Sequence, residues 1–211
     1  GLGTRWAEQG SRKDRNWEVG ISRELENVVQ IPGTNGAPAG QRLLAQLDKS
    51  GGGVLSVDLS GAYSKGSGLS DAAPGETKAL RSFAVDYTGR CGAPALIAVA
   101  DQFTGPGAKT WTMHTPVQPR IDGHAFVLAG KDGATLRATV LAPASPKLRI
   151  IEGKETHTLQ ITGGDEFLVI MTIQPADAPK ITTTGTGLDA KIQVGQQTLQ
   201  FDGQKFVITN P

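Results

Sequence analysis

Three histidines (His114, His124 and His157), one cysteine (Cys91) and a Gly/Pro loop ending in Lys109-Thr110 are the first residues whose types could do chemistry. A zinc site or an acid–base pair needs several such groups to converge, and sequence reveals one locally only when ligands sit a few residues apart. The histidines fall instead on three separate strand-like segments, with no second ligand at metal-binding spacing. For His114, at the end of the strand that contains Trp111, a hydrogen-bonded structural role is the default and a place on a functional surface the alternative. Cys91 sits in Gly89-Arg90-Cys91-Gly92 with no CxxC partner, which reads as an inert thiol. The run Gly105-Pro106-Gly107-Ala108-Lys109-Thr110 has neither the spacing of a phosphate loop nor a helix after it. No GxSxG elbow, HExxH pair, EF-hand loop or Asn-x-Ser/Thr acceptor occurs. No carboxylate pair is placed by local spacing for acid–base work, although residues distant in sequence can still meet in space.

A sugar-binding surface presents exposed rings to pyranose faces, and Trp6, Trp17, Tyr63 and Tyr87 are the candidates. Aromatics make up only 5% of the chain, so service in the core is the default for each. Trp6 and Trp17 are the exceptions, because their sequence surroundings are polar.

Composition narrows the function classes. Lys and Arg number 21 against 20 Asp and Glu, a net charge of +1 that leaves no electrostatic footprint for nucleic acid. The cluster Arg12-Lys13-Asp14-Arg15 is short and interrupted, as in a solvated loop. No apolar run approaches the roughly 20 residues that span a bilayer, and the opening Gly1-Leu2-Gly3-Thr4-Arg5 has no signal-peptide character. A removed targeting segment, or a longer parent chain, is the expectation. The single cysteine excludes an internal disulfide and leaves the compartment open.

The elements that must position any site are strands. Lys78 to Tyr87, Ala95 to Asp101 and Lys109 to His114 are three strand-like runs separated by turn residues, and Ala95 to Ala100 is apolar on both faces, as a central strand covered on each side should be. Phe167 to Ile173 has the same character. Trp17 to Ile21, Asn27 to Ile31, Val54 to Leu59, His124 to Ala129, Thr135 to Leu141, Lys147 to Ile151 and Thr156 to Ile161 supply further strands. Gln41 to Leu47 reads as an isolated strand, Lys65 to Gly75 as a long exposed loop, and Lys131-Asp132-Gly133-Ala134 as a hairpin with a tight primed turn. Gln174 to Pro179 has linker composition, and beyond it Ala190/Ile192/Val194, Leu199/Phe201 and Phe206/Ile208 alternate across Gly195-Gln196 and Asp202-Gly203. The pattern predicts an all-β protein, an antiparallel two-sheet β-sandwich over residues 1–175 with a small β-meander over 176–211 packed on it.

The runs Val57 to Tyr63, Ala79 to Tyr87, Pro94 to Asp101, Lys109 to Thr115 and Gly133 to Thr139 together resemble the C-terminal β-sandwich region of heparinase II/III-type polysaccharide lyases. The opening Gly3-Thr4-Arg5-Trp6-Ala7 is similar to a run found in the same family. The resemblance implies β-elimination on acidic polysaccharides, such as a glycosaminoglycan or alginate, by a Tyr/His pair. In this family the catalytic residues belong to, or lie close to, an N-terminal (α/α) toroid that would precede Gly1. It therefore implies no catalytic residue in this chain, and a role as the wall of an acidic-glycan cleft. Arg5, Trp6, Trp17 and Arg23 are the substrate-binding candidates. It implies a zinc ion in the parent, with Glu26 of Glu26-Asn27-Val28-Val29 at the position of a zinc-binding histidine, and a periplasmic or secreted bacterial protein. A different class, an independent carbohydrate-binding or adhesion module, is the alternative.

Overall fold

The structure is a computed structural model that describes residue 7 and residues 27–32, 34, 41–63, 76–174 and 179–209. In chain order the strands are β1 (Val29–Gln30), β2 (Arg42–Lys49), β3 (Gly52–Asp58), β4 (Lys78–Asp86), β5 (Ala95–Thr104), β6 (Thr110–Thr115), β7 (Pro119–Asp122), β8 (Ala125–Ala129), β9 (Thr135–Ala142), β10 (Lys147–Ile151), β11 (His157–Thr162), β12 (Glu166–Gln174), β13 (Ile181–Thr184), β14 (Lys191–Val194), β15 (Gln197–Phe201) and β16 (Phe206–Thr209). Three short 3-10 turns interrupt them, and there is no α-helix among the described residues.

Three antiparallel sheets stack in layers. The middle layer has eight strands in the order β2-β3-β4-β5-β12-β9-β8-β7; the outer layers are a four-stranded sheet, β1-β6-β11-β10, and the meander β13-β14-β15-β16. Because side chains alternate along a strand, β5 and β12 must be apolar on both faces to be covered on both sides. Ile97, Val99 and Phe103, with Val169 and Met171, point toward the four-stranded sheet and meet Trp111, Met113, Leu159 and Ile161. Leu96, Ala98 and Ala100, with Leu168 and Ile170, point the other way and meet Ile192, Val194, Leu199, Phe201 and Phe206 of the meander.

Polar bonds fasten the meander as well. The Phe206 amide donates to Ser82 Oγ (3.1 Å), Gln197 Nε2 donates to Asp86 Oδ2 (3.0 Å), and Ser56 Oγ donates to the Gln204 carbonyl. Gly195, at φ +56, brings its turn so close to Cys91 that an added Cβ would lie 2.3 Å from the Cys91 carbonyl oxygen. Only glycine meets both demands.

Two local expectations need correction. The stretch expected to be an isolated strand is β2, which pairs with β3 from Lys49↔Gly52 to Arg42↔Asp58. Gly51, at φ +82, closes the two-residue turn between them. The hairpin expected at Lys131 to Ala134 exists as β8 and β9, but its connection is a 3-10 turn over Lys131–Gly133 and not a two-residue primed turn. There the Ala134 amide donates to the Lys131 carbonyl (3.0 Å) and the Gly130 amide to the Ala134 carbonyl (2.8 Å), and Gly133 takes φ +74. The strand expected at Trp17 to Ile21 and the loop expected at Lys65 to Gly75 lie outside the described residues.

Candidate functional site

The residues Asn27 to Val29 are held by three other elements, β4, β6 and the 3-10 turn over Ser60–Tyr63. The Asn27 side-chain oxygen accepts the backbone N–H of His114 (2.6 Å), and its carbonyl accepts Nη1 of Arg81 (2.7 Å). The Thr112 amide donates to the Val28 carbonyl (3.1 Å), and Tyr63 Oη donates to the Val29 carbonyl (2.7 Å). A two-residue strand such as β1 makes few ladder bonds of its own, so these side chains supply the order that length does not.

Arg81 is fixed in turn by Asp101, its register partner on β5. Nε lies 2.6 Å from Oδ1 and Nη2 lies 2.8 Å from Oδ2, a bidentate pair in which Asp101 is fully buried. Burial works against the Arg81 charge, but the adjacent Asp101 charge and its hydrogen bond outweigh that and raise its pKa. Removing one member of such a pair strands the other charge in a poor solvent.

The other chemical candidates take structural places. His114 is buried, with Nδ1 3.0 Å from Thr158 Oγ1, which is the default role expected from sequence. Tyr63 is buried edge-on against Phe103, with ring centroids 5.1 Å apart. Cys91 is buried, and burial pushes its thiol pKa up, as in an unreactive cysteine. Lys109 belongs to no phosphate loop: its buried ammonium binds the Gly105 carbonyl (2.5 Å) and Asp165 (3.2 Å). His124 lies exposed in the turn before β8, and His157 pairs with Glu152 (2.6 Å). A hydrogen bond from Gln118, followed by one from His157, holds the Glu152 carboxyl below its ordinary range.

Arg5, Trp6, Trp17, Arg23 and Glu26, the substrate and metal candidates, all lie outside the described residues. Among the described residues, no three His, Cys, Asp or Glu side chains converge on a point that could hold a metal ion.

Sequence reasoning missed a surface. On the face of the eight-stranded sheet toward the four-stranded layer, Leu43, Leu55 and Phe83 are exposed. Tyr87, just past β4, is exposed as well, and a groove of about 440 Å³ runs between Gln46, Asp48, Leu55, Phe83, Val85 and Tyr87. The only signal in sequence was Tyr87 as a candidate ring; Phe83 read simply as a strand former. No helix of the described residues is long and apolar enough to cross a membrane.

No family model matches the sequence, and no curated protein matches it at a significant level. Solved structures do match in fold. A heparinase III gene product aligns with 98% of this chain and 34% of its own length, at a TM-score of 0.61 and 10% identity. Heparan sulfate lyase HepC from Pedobacter heparinus aligns with 94% of this chain and 34% of its own, at a TM-score of 0.58 and 11% identity. At such identities the likeness is one of fold, and this chain spans about a third of the length of these lyases.

Proposed function

We propose that this chain is the β-sandwich portion of a heparinase II/III-like polysaccharide lyase, non-catalytic by itself, which supports an N-terminal helical toroid and forms one wall of a cleft for an acidic polysaccharide. The observation that carries the proposal is the coverage: a lyase fold accounts for 98% of this chain while two thirds of that lyase have no counterpart in it. The role of the sandwich is then mechanical. Arg81, itself paired with Asp101, holds the Asn27 carbonyl and so ties the residues before β1 to β4 and β5. A wall of this kind raises the rate only by positioning, which makes rigidity its contribution.

In this reading Arg5, Trp6, Trp17 and Arg23 face the cleft, with arginines for carboxylate or sulfate groups and indole rings for sugar faces. The parent is secreted or periplasmic. Any zinc in the parent takes at most Glu26 from this chain, and no step of the proposal passes through a metal. The test is the longer gene product. It should carry an upstream helical domain, so its circular dichroism should show strong helix where this chain shows strand; a gene with no such segment would sink the reading.

The free-standing carbohydrate-binding module remains the second reading because Phe83 and Tyr87 are exposed on one strand and its end. Tight binding of a neutral or acidic glycan by this chain alone, measured by affinity electrophoresis, would favour it.

A further inference from the structure

We infer that two copies of this chain pair antiparallel along β2, with Leu47 on the two-fold axis, so that their eight-stranded sheets run on as one. The pairing goes beyond the lyase reading and does not depend on it. The two edges of that sheet differ. One is β7, four residues long and opened by Pro119, which has no N–H to offer a further strand. The other is β2, eight residues without a proline, whose outer side faces no other strand among the described residues. Its surroundings are apolar on both sides of the sheet. Leu43, Leu55 and Phe83 are exposed on the side of the four-stranded layer, and Leu47, whose register partner Val54 belongs to the cluster shared with the meander, is 45% exposed on the other. A ligand lying on one face would leave the other bare, whereas a strand added at the edge borders both.

The sequence of β2 selects a second copy as the added strand. Residues directly opposite in an antiparallel pair share a face, so a symmetric pairing over the regular part of β2 places one residue on the axis. The bulge between Leu43 and Ala45 confines that part to residues 45–49. With Leu47 on the axis, Leu47 meets its own copy and Gln46 lies opposite Asp48 at both ends. Gln46 Nε2 already donates to Asp48 Oδ2 within one chain (3.1 Å), and its second N–H can repeat that bond across the axis. Other centres fit worse. Centring on Ala45 or Gln46 runs the added strand into the bulge, centring on Asp48 sets two carboxylates against each other, and Lys49 is followed at once by the turn at Gly51.

Cysteine cross-linking of the 211-residue chain tests this, because the native Cys91 is buried and does not compete. Opposed residues of an antiparallel pair have Cα atoms about 4.5–5.5 Å apart, within the reach of a disulfide. Leu47→Cys should therefore give a disulfide-linked dimer under mild oxidation, and chains carrying Gln46→Cys should link to chains carrying Asp48→Cys faster than either links to itself. Val207→Cys, exposed on the meander, and Phe83→Cys, two strands in from the edge, are the controls and should link at least about tenfold more slowly. In light scattering the unaltered chain should show dimer at about 100 μM, and Leu47→Lys, which sets like charges together on the axis, should raise the dissociation constant about tenfold or more. A chain that is monomeric at that concentration, or that links no faster at 47 than at 207, would overturn the pairing. Dimers that survive Leu47→Lys, or that link fastest at 83, would assign the contact to another surface and overturn it equally.

Discussion

The two halves of the eight-stranded sheet obey the same alternation and end in different states. Val99 and Val169, on the central strands, are 6% and 0% exposed; Leu55 and Phe83, their register neighbours on the flank, are 42% and 37% exposed. Nothing in the strand periodicity distinguishes them. The difference is cover, since the four-stranded layer is half as wide as the sheet it lies on. Burial in a layered β protein is thus decided by the width of the second layer as much as by the strand itself, and where the layer stops, an apolar row becomes a surface.

The largest effect should come from breaking the boundary between the halves. Asp101→Ala leaves the Arg81 guanidinium without its carboxylate and should cost about 3–5 kcal/mol in urea unfolding. A loss under about 1 kcal/mol would mean that water from the open flank already solvates Arg81. Two phenylalanines on the same face sharpen the comparison. Phe167→Ala, at a fully buried position, should cost about 3–5 kcal/mol, while Phe83→Ala should change the isolated chain by no more than about 1 kcal/mol. Similar losses at both would show that the flank is covered in solution. On the opposite face, Gly195→Ala forces a Cβ against the Cys91 carbonyl at positive φ and should cost about 1–3 kcal/mol, read as a lower melting temperature.

The smallest effect concerns pH. Burial pushes the Asp86 carboxyl up, but hydrogen bonds from Thr88, and then from Gln197, outweigh it and hold the carboxyl below its ordinary range. The unfolded chain therefore takes up this proton more readily. The stability it contributes is complete above about pH 4–5 and is lost as pH falls through the lowered folded value. Asp86→Asn should flatten that part of the stability profile measured between about pH 2 and 6, and an unchanged slope would contradict the assignment.

Much of the scaffold was legible because its signals are local. Ala95 to Ala100 and Phe167 to Ile173 are apolar on both faces, and the tail alternates across turns that contain Gly195 and Gly203, so central strands and meander could be read directly. The Lys131 turn was misread because Asp-Gly suits several turn types, and the hydrogen bonds at Gly130 and Ala134 choose among them. Arg81 and Asp101 lie twenty residues apart and meet only through the β4–β5 register, so their pairing with Asn27 was invisible in one dimension. Phe83 was legible as a strand residue but not as an exposed one, since its exposure depends on where another sheet ends. The cleft candidates Arg5, Trp6, Trp17 and Arg23 rest on family resemblance alone, as they lie outside the described residues.

The most direct test of the proposed role is eliminative cleavage of a panel of acidic polysaccharides, followed as ultraviolet absorbance of the unsaturated uronate product, for the longer parent and for the 211-residue chain side by side. The parent should generate the product and the chain alone should generate none at any concentration. Product formed by the chain alone would place the acid–base chemistry within these residues and contradict its role as a supporting wall.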